Sequence, residues 1–274
     1  MDTSNLHGKR VLVTGAGSGI GRATALLAAS RGADLALCDV DEAGMGEVAE
    51  RARGLGRTVL AERVDVADRD QMRTFAESVH ADGGAVDILV NNAGVGLAAR
   101  VLESELDDWN WIVGINLMGV VHGIYFFVPG MVERGRGGHV VNLSSLAGYL
   151  ATAPLAAYSA TKFAVLGLSE ALRAELAEHD IGVTAVCPGI INTPITTNTR
   201  ARGTSDDPAF RERTVKLYQR RNYGPDRVAR NILKAVDRNR GVAPVSPESW
   251  IAYGIKRASP AFAGWLARKV GDAN

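Results

Sequence analysis

Cysteine is scarce. Cys38 and Cys187 are the only two in 274 residues, and both sit in apolar runs, LALCDV and VTAVCPG. Two such residues build no disulfide framework, and buried free thiols are expected. His7, His80 and His179 have no acidic or cysteine cluster around them in sequence, and His122 and His139 are expected to be structural, so no metal site is expected. An excess of one charge is missing too: 31 Lys and Arg stand against 30 Asp and Glu, a formal charge of +1. No field is available to grip a phosphate backbone, and no nucleic-acid partner is expected. The first residues, MDTSNLHGKRVLVTG, lack a basic region followed by an apolar core, so a cytoplasmic location is expected.

Long uncharged runs are rare, with one exception. Residues 109–132 contain no Asp, Glu, Lys or Arg. Their length permits a membrane span. Asn110, Asn116, His122, several glycines and Pro129 weigh against one, and a buried helix is expected, with a subunit contact as one place for it. No linker rich in Pro, Ser or Gly divides the chain and no internal repeat is visible, which favours one domain.

The sequence does hold a regular alternation. Short apolar runs at 10–14, 34–39, 59–65, 86–94, 139–145 and 181–189 read as buried strands. Between them, helical spacing covers about 23–33, 41–53, 69–81, 108–130 and 155–179. Strand–helix alternation of this kind predicts a doubly wound, mostly parallel α/β sheet. Residues 190–210 show little periodicity and read as a lid-like loop. Helices over 208–221 and 225–238 and an edge strand at 241–247 complete the pattern.

The run TGAGSGIG at 14–21 lies between the first strand and the first helix. Glycines in that place let the backbone approach a pyrophosphate, and the helix offers free N–H groups and its positive end. Asp39 ends the second strand, 18 residues beyond Gly21. A carboxylate there can accept both ribose hydroxyls of an adenosine and would repel a 2′-phosphate. No Arg or Lys occupies 38–42, so NAD is expected over NADP. Asp65, also at a strand end, is a candidate for the adenine amino group.

The glycine spacing is TGxxxGxG, and other motifs follow in order: Asp65 and Val66 in RVDV, NNAG at 91–94, Asn116 in GINLMG, NLSS at 142–145, YSATK at 158–162 and PGIINT at 188–193. On these residues the chain resembles the short-chain dehydrogenase/reductase family over roughly 8–245. The resemblance implies a Rossmann-type dehydrogenase domain, expected over 1–247, and catalytic roles for Asn116, Ser145, Tyr158 and Lys162. It also implies a cofactor cleft lined by Gly15, Ser18, Gly19, Ile20, Gly21, Asp39, Asp65, Val66, Asn92, Ala93, Gly94, Tyr158, Lys162, Pro188, Gly189, Ile191 and Thr193.

Elementary chemistry agrees with these assignments. Tyr158 and Lys162 are four apart on a predicted helix and share a face. A free phenol titrates too high to be a good base at neutral pH, and a nearby ammonium favours the phenolate. Family resemblance makes Tyr158 the general base in oxidation and the acid in reduction, with Lys162 also holding the nicotinamide ribose. Ser145, 13 positions before Tyr158, can donate to the substrate oxygen as charge develops. For Asn116 two readings stand: a core hydrogen bond that kinks its helix, or the family's role of holding a water behind Lys162. Resemblance places Ile191 and Thr193 against the nicotinamide carboxamide.

Leu97, Leu146, Ala147, Tyr149, Leu150, Ala151, Leu155 and Ile190 are expected in the pocket wall, with Arg100 at its rim. Such a wall suits a hydrophobic or alicyclic secondary alcohol and its ketone, steroid-like, terpenoid or long-chain. Preference for NAD tilts the expected direction toward oxidation. Two alternatives are a 3-oxoacyl-type ketone reductase and a non-catalytic nucleotide-binding scaffold. The sequence VAPVSPESW departs from the short glycine-rich ending of 3-oxoacyl reductases. Residues 248–274 are expected as a helical extension on the domain or on a neighbouring subunit, interrupted at Pro260. Their aromatic and basic residues also suit peripheral contact with a membrane. Apolar helices at 108–130 and 155–179 predict a homodimer or homotetramer.

Overall fold

The computed structural model describes residues 1–272. Its main sheet is built from β1 (Arg10–Thr14), β2 (Asp34–Asp39), β3 (Val59–Arg63), β4 (Ile88–Asn91), β6 (Gly138–Leu143), β7 (Ile181–Cys187) and β9 (Val242–Pro244). The strand order is β3-β2-β1-β4-β6-β7-β9, and every pair is parallel. Two further strands, β5 (Leu97–Ala98) and β8 (Arg200–Ala201), form a separate small parallel pair.

The helices are α1 (Gly19–Ser30), α2 (Glu42–Gly54), α3 (Arg69–Gly83), α4 (Leu106–Val113), α5 (Gly119–Arg134), α6 (Ala156–Glu175), α7 (Ile195–Asn198), α8 (Pro208–Arg221), α9 (Pro225–Asp237), α10 (Pro247–Ala258) and α11 (Pro260–Asp272). Side chains alternate across each strand, so one strand feeds two cores. Val11, Val13, Leu35, Leu37, Val90 and Val141 meet α1, α2 and α9 through Ala25, Val48 and Ile232. Leu12, Ala36, Leu89 and Val140 meet α3, α5 and α6 through Phe75, Phe127, Met131 and Leu172. Phe75 and Phe127 pack edge to face with centroids 5.9 Å apart. Both faces are covered, which is why the strands read as unbroken apolar runs.

The strand order reverses between β1 and β4, and at that point the carboxyl ends of the strands open a crevice. Element ends differ from the sequence reading for local reasons. β4 stops at Asn91, because the N–H groups of Asn92 and Ala93 turn to the Thr14 hydroxyl, each at 3.0 Å. β3 stops at Arg63, ahead of a turn in which Asp65 accepts the Ala67 N–H. α6 ends at Glu175 and tightens into a 3-10 turn over Leu176–His179.

The uncharged run is part of one continuous helical stretch, 106–134, long and apolar enough to cross a membrane. Here Phe127, Val128 and Met131 pack on the sheet, and Ile112 packs with Leu97, Ala99 and Ala157. A single π turn, Gly114–Met118, interrupts it around Asn116. The lid-like loop at 190–210, of little periodicity in sequence, contains α7, β8 and a 3-10 turn at Gly203–Asp206. Elements of two to four residues carry too few positions for a period to register.

Candidate active site

The glycine turn leaves β1 and enters α1. A Cβ at Gly21 would stand 2.0 Å from the Gly15 carbonyl oxygen, so only glycine lets the turn fold this tightly. Ser18 is the N-cap, yet its side chain makes no capping hydrogen bond, and the first turn of α1 holds no acidic residue. Gly19, Ile20 and Gly21 therefore begin a helix whose positive end is not neutralised from within. The Asn92 amide donates to the Thr14 and Gly15 carbonyls at 2.9 and 3.0 Å, tying the NNAG turn to the glycine turn.

Asp39 closes the far side. Its Oδ2 accepts from the Gly17 N–H at 2.7 Å and its Oδ1 from the Asp41 N–H at 2.9 Å. Both oxygens are thus held in place and each keeps a lone pair for a ribose hydroxyl. One residue escaped the sequence reading: Arg63 stands in register with Asp39 across the β2–β3 ladder. Its distance in sequence hid it. Asp65 caps its own turn, and the Val66 carbonyl faces His122 Nδ1 at 2.8 Å, so this turn is pinned to α5. A free N-terminal turn, a bare glycine face and a fixed carboxylate fit the phosphates and adenosine ribose of a dinucleotide.

Beside this cleft, β6 and α6 bring the chemical groups together. Ser145 lies just beyond β6, and its hydroxyl accepts from the Ala147 N–H at 3.1 Å. Tyr158 and Lys162 lie one turn apart on α6, with Nζ 5.7 Å from the Tyr158 ring centre. Burial pushes the Tyr158 phenol up to about 12, and a hydrogen bond from Ser145 acts against that rise. Burial lowers the Lys162 ammonium to about 8. Nζ donates to the Leu143 carbonyl at 2.8 Å, which anchors it at the end of β6. Ser144 binds elsewhere, donating to the Lys162 carbonyl at 2.8 Å.

Asn116 is fully buried. Its Oδ1 accepts the Val95 N–H at 2.8 Å, while its amide donates to the Val95 carbonyl at 2.9 Å and to Thr161 Oγ1 at 3.3 Å. Asn116 thus makes core hydrogen bonds at the π turn. A Cβ at Gly94 would meet Asn116 Oδ1 at 3.3 Å and Lys162 Nζ at 3.5 Å, so the bare Gly94 backbone is where these two side chains converge.

On the other side, the Pro188 carbonyl accepts from the Leu146 N–H at 2.7 Å. Gly189 follows it, Ile191 is buried in the α1–α9 core, and Thr193 lies over the glycine turn, its Cβ 3.5 Å from where a Gly19 Cβ would be. Two residues unforeseen from sequence brace this segment from α10. Glu248 Oε1 accepts the Ile190 N–H at 3.0 Å and its other oxygen pairs with Arg221 at 2.5 Å. Ser249 Oγ donates to the Cys187 carbonyl at 2.6 Å. A Ser-Pro-Glu helix start is visible in sequence, but its target some sixty positions upstream is not.

Three residues of the expected pocket wall, Leu97, Ala147 and Tyr149, are buried. Tyr149 is 3% exposed, and its hydroxyl donates to the Ser249 carbonyl at 2.8 Å, so it packs under α10 instead of facing a pocket. Leu146, Leu150 and Leu155, near Ser145 and Tyr158 in sequence, and Ile190, just after β7, remain partly exposed, and Ala151 is exposed.

Residues 9–203 match the family model for short chain dehydrogenases. A probable oxidoreductase, EphD, of Mycobacterium tuberculosis is 42% identical over 254 residues, covering 91% of this chain and 43% of that protein. The chain thus spans less than half the length of that relative. A putative oxidoreductase, SadH, of the same organism is 38% identical over 250 residues, covering 90% of this chain and 89% of that protein. Among solved structures, a short chain dehydrogenase/reductase of Burkholderia phymatum in complex with NAD superposes with a TM-score of 0.85 at 31% identity, over 98% of this chain and 97% of that one.

Proposed function

Because the chain belongs to the short-chain dehydrogenase/reductase family, we propose that it is an NAD-dependent oxidoreductase interconverting a hydrophobic or alicyclic secondary alcohol and its ketone. The observation that carries this reading is the grouping of Ser145, Tyr158 and Lys162, with Lys162 Nζ beside the bare Gly94 backbone of the turn that Asn92 ties to the glycine turn.

Each group has work suited to its setting. In oxidation the Tyr158 oxygen takes the proton of the alcohol, and in reduction it returns that proton to the new alkoxide. Ser145 donates to the substrate oxygen and holds it within reach of Tyr158. Lys162, cationic at neutral pH, favours the phenolate and offers donors to a nucleotide ribose. Asn116 keeps the Val95 backbone and α6 in fixed relation, so the base does not drift. Ser18 to Gly21 hold the pyrophosphate, Asp39 the adenosine ribose, and Ile191 and Thr193 the carboxamide end. When bound, NAD supplies the hydride acceptor, chemistry that no side chain here can perform.

A fixed Asp39 supports NAD over NADP, and the NAD complex of the Burkholderia structure is in keeping with it. The partly exposed apolar residues by the site support a lipophilic substrate. Tyr125 on α5, 71% exposed, and Phe163 on α6, 37% exposed, support a homo-oligomer that covers these two helices. The test is a panel of lipophilic secondary alcohols assayed with NAD and NADP side by side. NAD-dependent oxidation of at least one is expected, and nucleotide binding without turnover across the panel would point instead to a scaffold.

A further inference from the structure

One buried carboxylate has no part in the chemistry above. Asp108, on the first turn of α4, is completely shielded from solvent. Three guanidinium contacts converge on it. Arg200 Nη1 reaches Oδ1 at 3.0 Å, Arg202 Nη2 reaches Oδ1 at 3.0 Å, and Arg202 Nε reaches Oδ2 at 3.0 Å. The Arg202 contact is a two-pronged fork, the strongest geometry for such a pair. The Arg200 guanidinium also stacks 3.8 Å from the centre of the Trp111 ring. Both arginines belong to the loop after β7, which the sequence marks as a lid.

The loop touches the cleft at its other end. Thr193 and Pro194 lie over Gly19 in the glycine turn. From there the chain runs through α7 to β8, pairs with β5, and then meets Asp108. Thr204 adds a hydrogen bond to Glu103 at 3.1 Å. Beyond this, the span from 194 to 206 is held down by few buried apolar contacts: most of its residues are exposed or half-exposed, and β8 is two residues long. The Asp108 cluster, with the backbone bonds from Arg200 and Arg202 to Gly96 and Ala98, is therefore what ties this part of the lid to the domain.

We propose that Asp108 is the catch that holds the 193–206 lid closed across the nucleotide cleft, and that its disengagement from Arg200 and Arg202 sets how fast nucleotide leaves. This rests on the reading of the cleft as a nucleotide site. Asp108 acts as a positioning residue, because it touches the lid and not the reacting groups. Its acceptors are desolvated while the side chains of Arg200 and Arg202 keep 38% and 39% of their exposure. When the lid opens, the arginines and the carboxylate they cover all pass to water, so what is lost is the forked pairing and not the hydration of a stranded charge. The tie therefore favours the closed lid without locking it.

Two measurements test the proposal, one of them free of nucleotide. Asp108→Asn keeps an acceptor for the Glu105 N–H that it caps at 3.3 Å and removes the charge that holds the lid. Cleavage within 193–206 by a non-specific protease, with no nucleotide present, should speed up about tenfold or more in this variant. The NADH dissociation rate, read by stopped-flow fluorescence, should rise by a similar factor with binding stoichiometry unchanged. Arg202→Lys should fall between, since it keeps charge and loses the fork. If Asp108→Asn does not fold, Arg202→Gln, in which Arg200 still pairs with the carboxylate, carries the same comparison. Unchanged protease susceptibility in the folded variant overturns the catch. Faster cleavage with no NADH binding by the parent protein would keep the catch and overturn the nucleotide reading instead.

Discussion

The Glu248 carboxylate accepts the Ile190 N–H at 3.0 Å, linking the first turn of α10 to the segment beside the candidate chemical groups. Its other oxygen pairs with Arg221 at the end of α8. One side chain thus ties the segment just before the lid to the end of α8, the helix that follows it.

Glu248→Gln should raise KM for the alcohol more than it lowers kcat. Gln can keep the Ile190 bond and weakens the one to Arg221, a loss of about 1–2 kcal/mol, or roughly tenfold in kcat/KM. Glu248→Ala, which removes both bonds, should cost more. Steady-state kinetics on the two variants check this. Equal kinetics in all three proteins would mean that α10 is not coupled to the site.

Asp39→Ala should cut discrimination between NAD and NADP by at least about tenfold, because it removes both the ribose acceptor and the charge that repels a 2′-phosphate. The effect should enter mainly through the NAD dissociation constant. Arg63, in register beside it, then becomes the nearest cation known on that ladder. Titration of each nucleotide against the parent and the variant reads the ratio, and an unchanged ratio contradicts the assignment.

Burial holds the Tyr158 phenol near 12, far above neutral pH. The fraction of phenolate then grows tenfold per pH unit. kcat/KM for alcohol oxidation should climb with a slope of about one between pH 6 and 8, and ketone reduction should not. Lys162 begins to lose its charge near 8, so the climb should slacken beyond that point. A flat oxidation profile over the lower range would remove Tyr158 as the titrating base.

His139 is buried with Nε2 2.7 Å from Thr184 Oγ1, and burial depresses it to about 3. The unfolded chain binds a proton near 6.5 that the folded chain refuses. Stability is then complete above pH 6.5 and declines as pH falls toward 3, by at most about 1.4 kcal/mol per pH unit from this residue. Denaturant unfolding at pH 7 and pH 5 should show the loss, and His139→Gln should reduce it.

Much of this was legible from residues alone. β1, β2, α8 and the break at Pro260 lie where the sequence reading puts them, because apolar runs, spacing and proline are local signals. The TGxxxGxG turn and the Tyr158–Lys162 pair are equally local. What escaped was set by contacts between distant segments. The Asp108 catch joins residues over ninety positions apart, and Glu248 and Ser249 reach back about sixty. Tyr149 reads as a pocket aromatic until Ser249 is brought under it. The turn at Asn116 shows only as a polar residue in an apolar helix, since its partner Val95 lies in another segment.

In the proposed reaction Tyr158 is the group that moves the proton. The most direct test of that role is Tyr158→Phe, assayed for NADH affinity and for NAD-dependent oxidation of the best alcohol substrate. Loss of one hydroxyl should leave NADH affinity within a few-fold and lower kcat by about a hundred- to ten-thousandfold. A variant that binds NADH normally and turns over within about threefold of the parent protein would contradict it.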